Sequence, residues 1–180
     1  MRNKTAFNVA LGGICTALCL AAMFCSGFLP MLDYTIPAIT GFIMVIVAVE
    51  TSMKEAVITY CAVSFLSFFI TPNKEATLLF VMFMGYYPIL KIHLDKMKNK
   101  FFSWIIRLGI FNGAVILFFF IFQYIFTNGD MLEGLEMFGR FAPLILLMLA
   151  NVVFLLYDYA LGLLTSLYAN WFRKKILRRR

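Results

Sequence analysis

Long apolar runs separated by short polar breaks make up nearly the whole chain, and the breaks locate the elements. The first run, about 6–28, ends at Leu29-Pro30. After a short link around Asp33, a second run covers about 35–51, with Pro37 in its first turn, where a missing N–H costs nothing. Ser52-Met53-Lys54-Glu55 has the form of a capping box, in which side chains at both ends satisfy orphan N–H groups, and it opens a third run over about 53–70. Thr71 as N-cap and Pro72 as first helical residue open a fourth over about 72–91, with Glu75 against the positive helix end. Gly85 and Pro88 inside this run predict a kink or a local unwinding. A basic stretch, Lys91 to Lys100, precedes the fifth run, about 102–126. The link that follows carries Asp130, Glu133 and Glu136, and the sixth run covers about 141–168 with Pro143 in its first turn.

A helix needs about 20 residues to cross the ~30 Å hydrocarbon layer of a bilayer. These runs therefore predict an all-α polytopic membrane protein, a single compact domain of six transmembrane helices followed by a basic tail, 172–180. Little chain is left for a soluble catalytic or nucleotide-binding domain. Composition agrees: 63% of the 180 residues are hydrophobic and 14% charged, against about 25% charged in soluble domains. The first run follows a short basic start and could be taken for a secretory signal. It is longer than the usual core of about 7 to 15 apolar residues, and no A-x-A pattern follows it, so it is expected to stay as the first span.

The net charge of +7 is not patterned as a nucleic-acid footprint, because the basic residues lie at the ends of apolar runs. With the N-terminus inside, one side of the membrane holds Arg2, Lys4, Lys54, Lys91, Lys96, Lys98, Lys100, Arg107 and six tail residues, 14 of the 16. The other holds Lys74 and Arg140. The positive-inside rule then puts both termini in the cytoplasm and the chain in the cell membrane. Cys15, Cys19, Cys25 and Cys61 fall inside apolar runs and His93 is the only histidine, so neither a metal site nor a cofactor is expected. No H-E-x-x-H, G-x-S-x-G or phosphate-cradling glycine loop occurs, so the chain does not read as an enzyme.

Three groups of residues could carry function. Gly13, Ala17 and Ala21 recur at four-residue spacing on the first helix, a face that lets helix backbones approach closely. Such a face serves contact with another helix of the same chain or docking on a partner, and spacing does not separate the two. Asn151, Asp158 and Thr165 form a stripe on the sixth span beside Gly162. Asp158 is placed to pair with Arg107 from the fifth span, or else to serve a binding or proton-relay role. Glu50 is expected at the membrane interface. At the outer ends of spans, Tyr34, Glu75, Gln123, Tyr124 and Arg140, with Asn151 deeper in the sixth span, are candidates for holding a small polar organic solute.

Chain length, six spans, internal termini and the Gly13, Ala17, Ala21 face together resemble the substrate-binding S component of energy-coupling factor (ECF) transporters. The resemblance implies a subunit that captures a vitamin-like micronutrient at the outer surface. It also implies that the first helix docks on a transmembrane coupling subunit driven by two ATPase subunits. The metal-transporting branch of that family begins Met-His, and this chain begins Met1-Arg2, which disfavours nickel or cobalt. The stretch Gly85-Tyr86-Tyr87-Pro88-Ile89-Leu90-Lys91 stands out without an assigned role. Two other classes stay open: a membrane scaffold or morphogenesis protein that binds other membrane proteins, and a self-contained proton-coupled carrier using Asp158.

Overall fold

The computed structural model describes residues 4–28, 32–125 and 141–172, and all its regular structure there is helical. Helix α1 spans Lys4–Cys25 and closes in a 3₁₀ turn, Ser26–Phe28; α2 is Thr35–Glu50 and α3 is Met53–Ile70. Helix α4, Lys74–Leu79, runs into a π-helical turn, Phe80–Met84, and the chain restarts as α5, Tyr87–Leu94. Helices α6, Lys100–Ile125, and α7, Ala142–Leu167, are the longest, and α7 ends in a second π turn, Tyr168–Phe172.

Local chemistry sets these boundaries. Ser52 and Glu55 form the expected capping box: Ser52 Oγ accepts from the Glu55 N–H at 3.5 Å and Glu55 Oε2 accepts from the Ser52 N–H at 2.7 Å. At the next start Thr71 is not the cap. Asn73 takes that place, its Oδ1 accepting from the N–H groups of Glu75 and Ala76 at 2.9 and 3.1 Å, so α4 begins at Lys74 rather than at Pro72. The disruption expected near Gly85 and Pro88 is the π turn plus a two-residue break, after which Pro88 sits in the first turn of α5. Glycine is required at position 85 for space, because a Cβ there would lie 2.8 Å from the rings of Phe80 and Tyr60.

Neighbouring helices run back alongside one another. Parallel α1 and α3 are fixed by Asn8, which donates to Glu55 at 2.9 Å, and by Gly12, whose absent Cβ would sit 3.0 Å from Thr59 Oγ1 one turn further on. Tyr60 of α3 donates to the Val81 carbonyl at 2.7 Å. Ser103 of α6 donates to the Leu94 carbonyl at the end of α5, and Asn112 pairs with Asn151 across α6 and α7. The start of α1, the α2–α3 link, the α5–α6 link and the end of α7 thus share one end of the bundle. Residues 32–34 and the α3–α4 link lie at the other.

Helix α2 stands at the centre. Its Ile36, Met44 and Val47 join a core with Cys15, Cys19 and Met23 of α1, Ala56 and Val63 of α3, and Phe80. Its Val45 joins a second core with Phe83, Tyr87, Phe111, Phe154, Tyr157 and Leu161. Among the described residues, five helical segments are long and apolar enough to cross a membrane: Thr5–Phe28, Met53–Ile70, Lys74–Leu94, Lys100–Phe122 and Pro143–Asn170. Helix α2 falls short of the six-span expectation, since its 16 residues rise only about 24 Å. Half of them are buried, and a helix enclosed by others does not itself have to match the hydrocarbon thickness. Gly41 makes that enclosure tight: a Cβ there would collide with the Tyr157 hydroxyl and lie 2.7 Å from the Met84 carbonyl.

Candidate functional site

Restarting the chain as α5 places Tyr87, Lys91 and Asp95 at i, i+4 and i+8, on one face of one helix. Opposite them, Ser103 and Arg107 stand one turn apart on α6, and Asp158 projects from α7. Asp158 Oδ1 accepts from the Tyr87 hydroxyl and from Lys91 Nζ, the latter at 2.6 Å, and Oδ2 accepts from Arg107 Nη1 at 3.2 Å. Arg107 Nη2 donates to Asp95 Oδ1 and, at 3.2 Å, to Ser103 Oγ. Lys91 Nζ also lies 4.0 Å from Asp95. The side chains of Lys91, Arg107 and Asp158 are buried, whereas that of Asp95 is 47% exposed. Two cations and two carboxylates therefore form a compensated cluster that runs from the bundle interior to the end holding the α5–α6 link.

Compensation is what makes the burial tolerable, since an isolated charge in this environment costs several kcal/mol while a paired and hydrogen-bonded one does not. Rings seal the inner side: Phe83 stacks on Tyr87 at 4.6 Å and Phe111 on Phe154 at 4.5 Å. Arg107 also lies 5.5 Å over the Trp104 ring. Sequence spacing anticipates the pair of Asp158 with Arg107 but not Tyr87, Lys91, Asp95 and Ser103. Two of the basic residues counted toward the expected charge asymmetry, Lys91 and Arg107, are buried. Of the stripe on the sixth span, Asp158 alone is fully buried; Thr165 donates back to its own Leu161 carbonyl at 2.7 Å.

About two turns along α7 from Asp158, Asn151 and Asn112 of α6 exchange two hydrogen bonds at 3.1 and 3.0 Å, and each donates again to the carbonyl four residues back. Asn151, a candidate for solute contact, thus spends both amide hydrogens on α6 and its own helix. Beyond this pair an open cleft of about 170 Å³ lies between α6 and α7, lined by Val115, Ile116, Phe119, Pro143, Leu146 and Leu147. A smaller one of about 80 Å³ lies between the π turn and α6. Both linings are apolar, and neither includes a residue proposed for polar solute contact.

At the end of the bundle that holds residues 32–34 and the α3–α4 link, Tyr34 is exposed and Glu75 half-buried. The Tyr34 phenol is pushed above its ordinary range, first by partial desolvation and then by the Glu75 and Asp33 carboxylates, so these three groups are close. Tyr124 is 89% exposed near the end of α6. The Gln123 side chain and Arg140 lie outside the described residues, as do Asp130 and tail residues 173–180. Glu50, expected at the interface, is the last residue of α2 and is buried.

Helix α1 has two unlike faces. Cys15, Cys19 and Met23 are buried against α2 and α3, whereas Gly13, Ala17 and Ala21 are exposed. Two residues along a helix is a rotation of about 200°, so the small residues point away from the bundle. Nothing described lies within 4 Å of where a Gly13 Cβ would be. The same holds for Gly109 and Gly113 on α6, a second small-residue pair absent from the sequence-based candidates. No protein-family model, curated protein or solved structure matches the chain.

Proposed function

We propose that the chain is a substrate-binding membrane subunit of the ECF type, which takes up a small solute at the outer face and docks through α1 on a transmembrane coupling subunit driven by two ATPase subunits. The observation that carries this reading is the exposure of Gly13, Ala17 and Ala21 on the side of α1 opposite its packed face. In lipid, close backbone approach replaces the hydrophobic effect as the source of helix association, and a small-residue face turned away from its own bundle offers that approach to another protein. The surplus of lysine and arginine at the end shared by the α5–α6 link supports placing that end, with both termini, in the cytoplasm of a cell membrane. The chain itself is then a binding subunit and not an enzyme.

Asp158 fits a structural role better than a proton-relay role, because its oxygens are engaged by three donors from two helices. A scaffold that binds other membrane proteins is the second reading, and the wholly apolar linings of both clefts favour it. Affinity purification of the full chain from its native membrane separates the two. Recovery of coupling and ATPase subunits together with a bound small molecule supports the uptake subunit; recovery of other membrane proteins without ATPase subunits or solute supports the scaffold.

A further inference from the structure

From the charges on the α5–α6 link we infer a docking surface for the headgroup of an anionic phospholipid, formed by Lys96, Lys98 and Lys100 at the start of α6. Asp95 is the acidic residue of this stretch, and its carboxylate is already engaged by Arg107 and lies 4.0 Å from Lys91. The three lysines are exposed, and no described carboxylate lies within 4.0 Å of any of them. Lys100 Nζ donates to the Asp95 carbonyl, at 2.9 Å, and not to a carboxylate. Three ammonium groups thus stand uncompensated within five residues, because the buried cluster has taken the one acid that would have neutralised them.

Directly beyond the lysines, α6 exposes Phe101, Phe102, Trp104 and Ile105. Exposed rings next to lysines at the start of a membrane-spanning helix are the pattern of a headgroup boundary, with apolar side chains among acyl chains and ammonium groups among phosphates. Asn99 caps the start of α6, its Oδ1 accepting from the Phe102 N–H at 3.4 Å, and the positive end of the helix dipole falls on the same side. Charge complementarity selects an anionic over a zwitterionic headgroup, since only the former leaves net negative charge to be neutralised. The inference does not depend on the transport reading.

Native mass spectrometry of the full chain, offered phosphatidylglycerol and phosphatidylcholine of matched acyl chains in equal amounts, tests it. Each lysine near an anionic surface is worth about fivefold in binding. Phosphatidylglycerol is therefore expected to be retained over phosphatidylcholine, and Lys96→Gln/Lys98→Gln to lower that preference roughly tenfold or more. Lys96→Arg/Lys98→Arg keeps the charge and should keep the preference, which separates loss of charge from loss of fold. Lys54→Gln, at the same end but on α3 and outside the 96–100 stretch, should lower it by less than Lys96→Gln/Lys98→Gln does. Equal retention of the two lipids by the natural chain, an equal loss in Lys54→Gln, or displacement of the lipid by inorganic phosphate at the same concentration would each overturn the assignment.

Discussion

Replacing Asp158 by asparagine keeps the size and shape of the side chain and removes one charge, so it isolates the electrostatic role of the buried cluster. In the natural chain Lys91 and Arg107 share Asp158, and Asp95 completes neutrality at the rim. In the Asp158→Asn variant the cluster carries a net positive charge. Lys91 then keeps only the more distant Asp95, while Arg107 keeps its Nη2 bond to Asp95 and loses the charge-assisted Nη1 bond. Removing one member of a buried ion pair costs about 3–5 kcal/mol, chiefly because the partner remains buried and uncompensated. At about 2–4 °C per kcal/mol for a chain of this size, the melting temperature should fall by roughly 6–20 °C. Thermal unfolding in a mild detergent, followed by circular dichroism, gives the number. The decisive comparison is Asp158→Asn/Lys91→Gln, which restores neutrality. It should recover much of the loss, with a coupling of about 1–3 kcal/mol between the sites. A single variant that melts within about 2 °C of the natural chain, or a double variant with simply additive loss, would refute the claim that mutual compensation sustains the cluster.

Other expectations rest on separate parts of the molecule. Gly41→Ala should cost about 1–3 kcal/mol by overpacking against Tyr157 and the Met84 carbonyl, whereas Gly13→Ala should leave the melting temperature unchanged; equal effects would contradict the described packing. Asn112→Leu should lower stability by about 0.6–2 kcal/mol, since it removes the Asn151 partner in a membrane-spanning pair, and a neutral result in the same melt would show the pair to be inert. Ser52→Ala, which removes half of the capping box, should cost about 1 kcal/mol and fray the start of α3, read as faster amide exchange over residues 53–56. Leucine at Gly109 and Gly113 should leave partner recovery unchanged while leucine at Gly13 and Ala17 abolishes it; the reverse pattern would move the docking face to α6.

Apolar run length and local caps are readable from the chain because both are local properties. Ser52 and Glu55 name a helix start whatever surrounds them. At the next start two caps compete, and Asn73 prevails because its carboxamide reaches two N–H groups while Thr71 lies too far from α4. Lys91 is harder to place for a different reason: at the end of an apolar run a lysine can extend to water or fold back, and only the approach of α6 and α7 decides which. The i, i+4, i+8 spacing of Tyr87, Lys91 and Asp95, with Ser103 and Arg107 one turn apart, is the available signal. Helix α2 reads as a sixth span because its apolar pattern resembles the others; its central position is a tertiary fact. The Gly13, Ala17, Ala21 stripe is visible in the sequence, but its outward direction depends on Cys15, Cys19 and Met23 taking the opposite face inward.

The claim that α1 presents a docking face is tested most directly by site-specific cross-linking from Ala17 in the cells that make this chain. With a photoreactive residue at position 17, the account predicts one dominant adduct, to a transmembrane coupling subunit, which disappears when Gly13 and Ala21 are replaced by leucine. Adducts with lipid alone, or with a second copy of the chain, unaffected by those replacements, would contradict it.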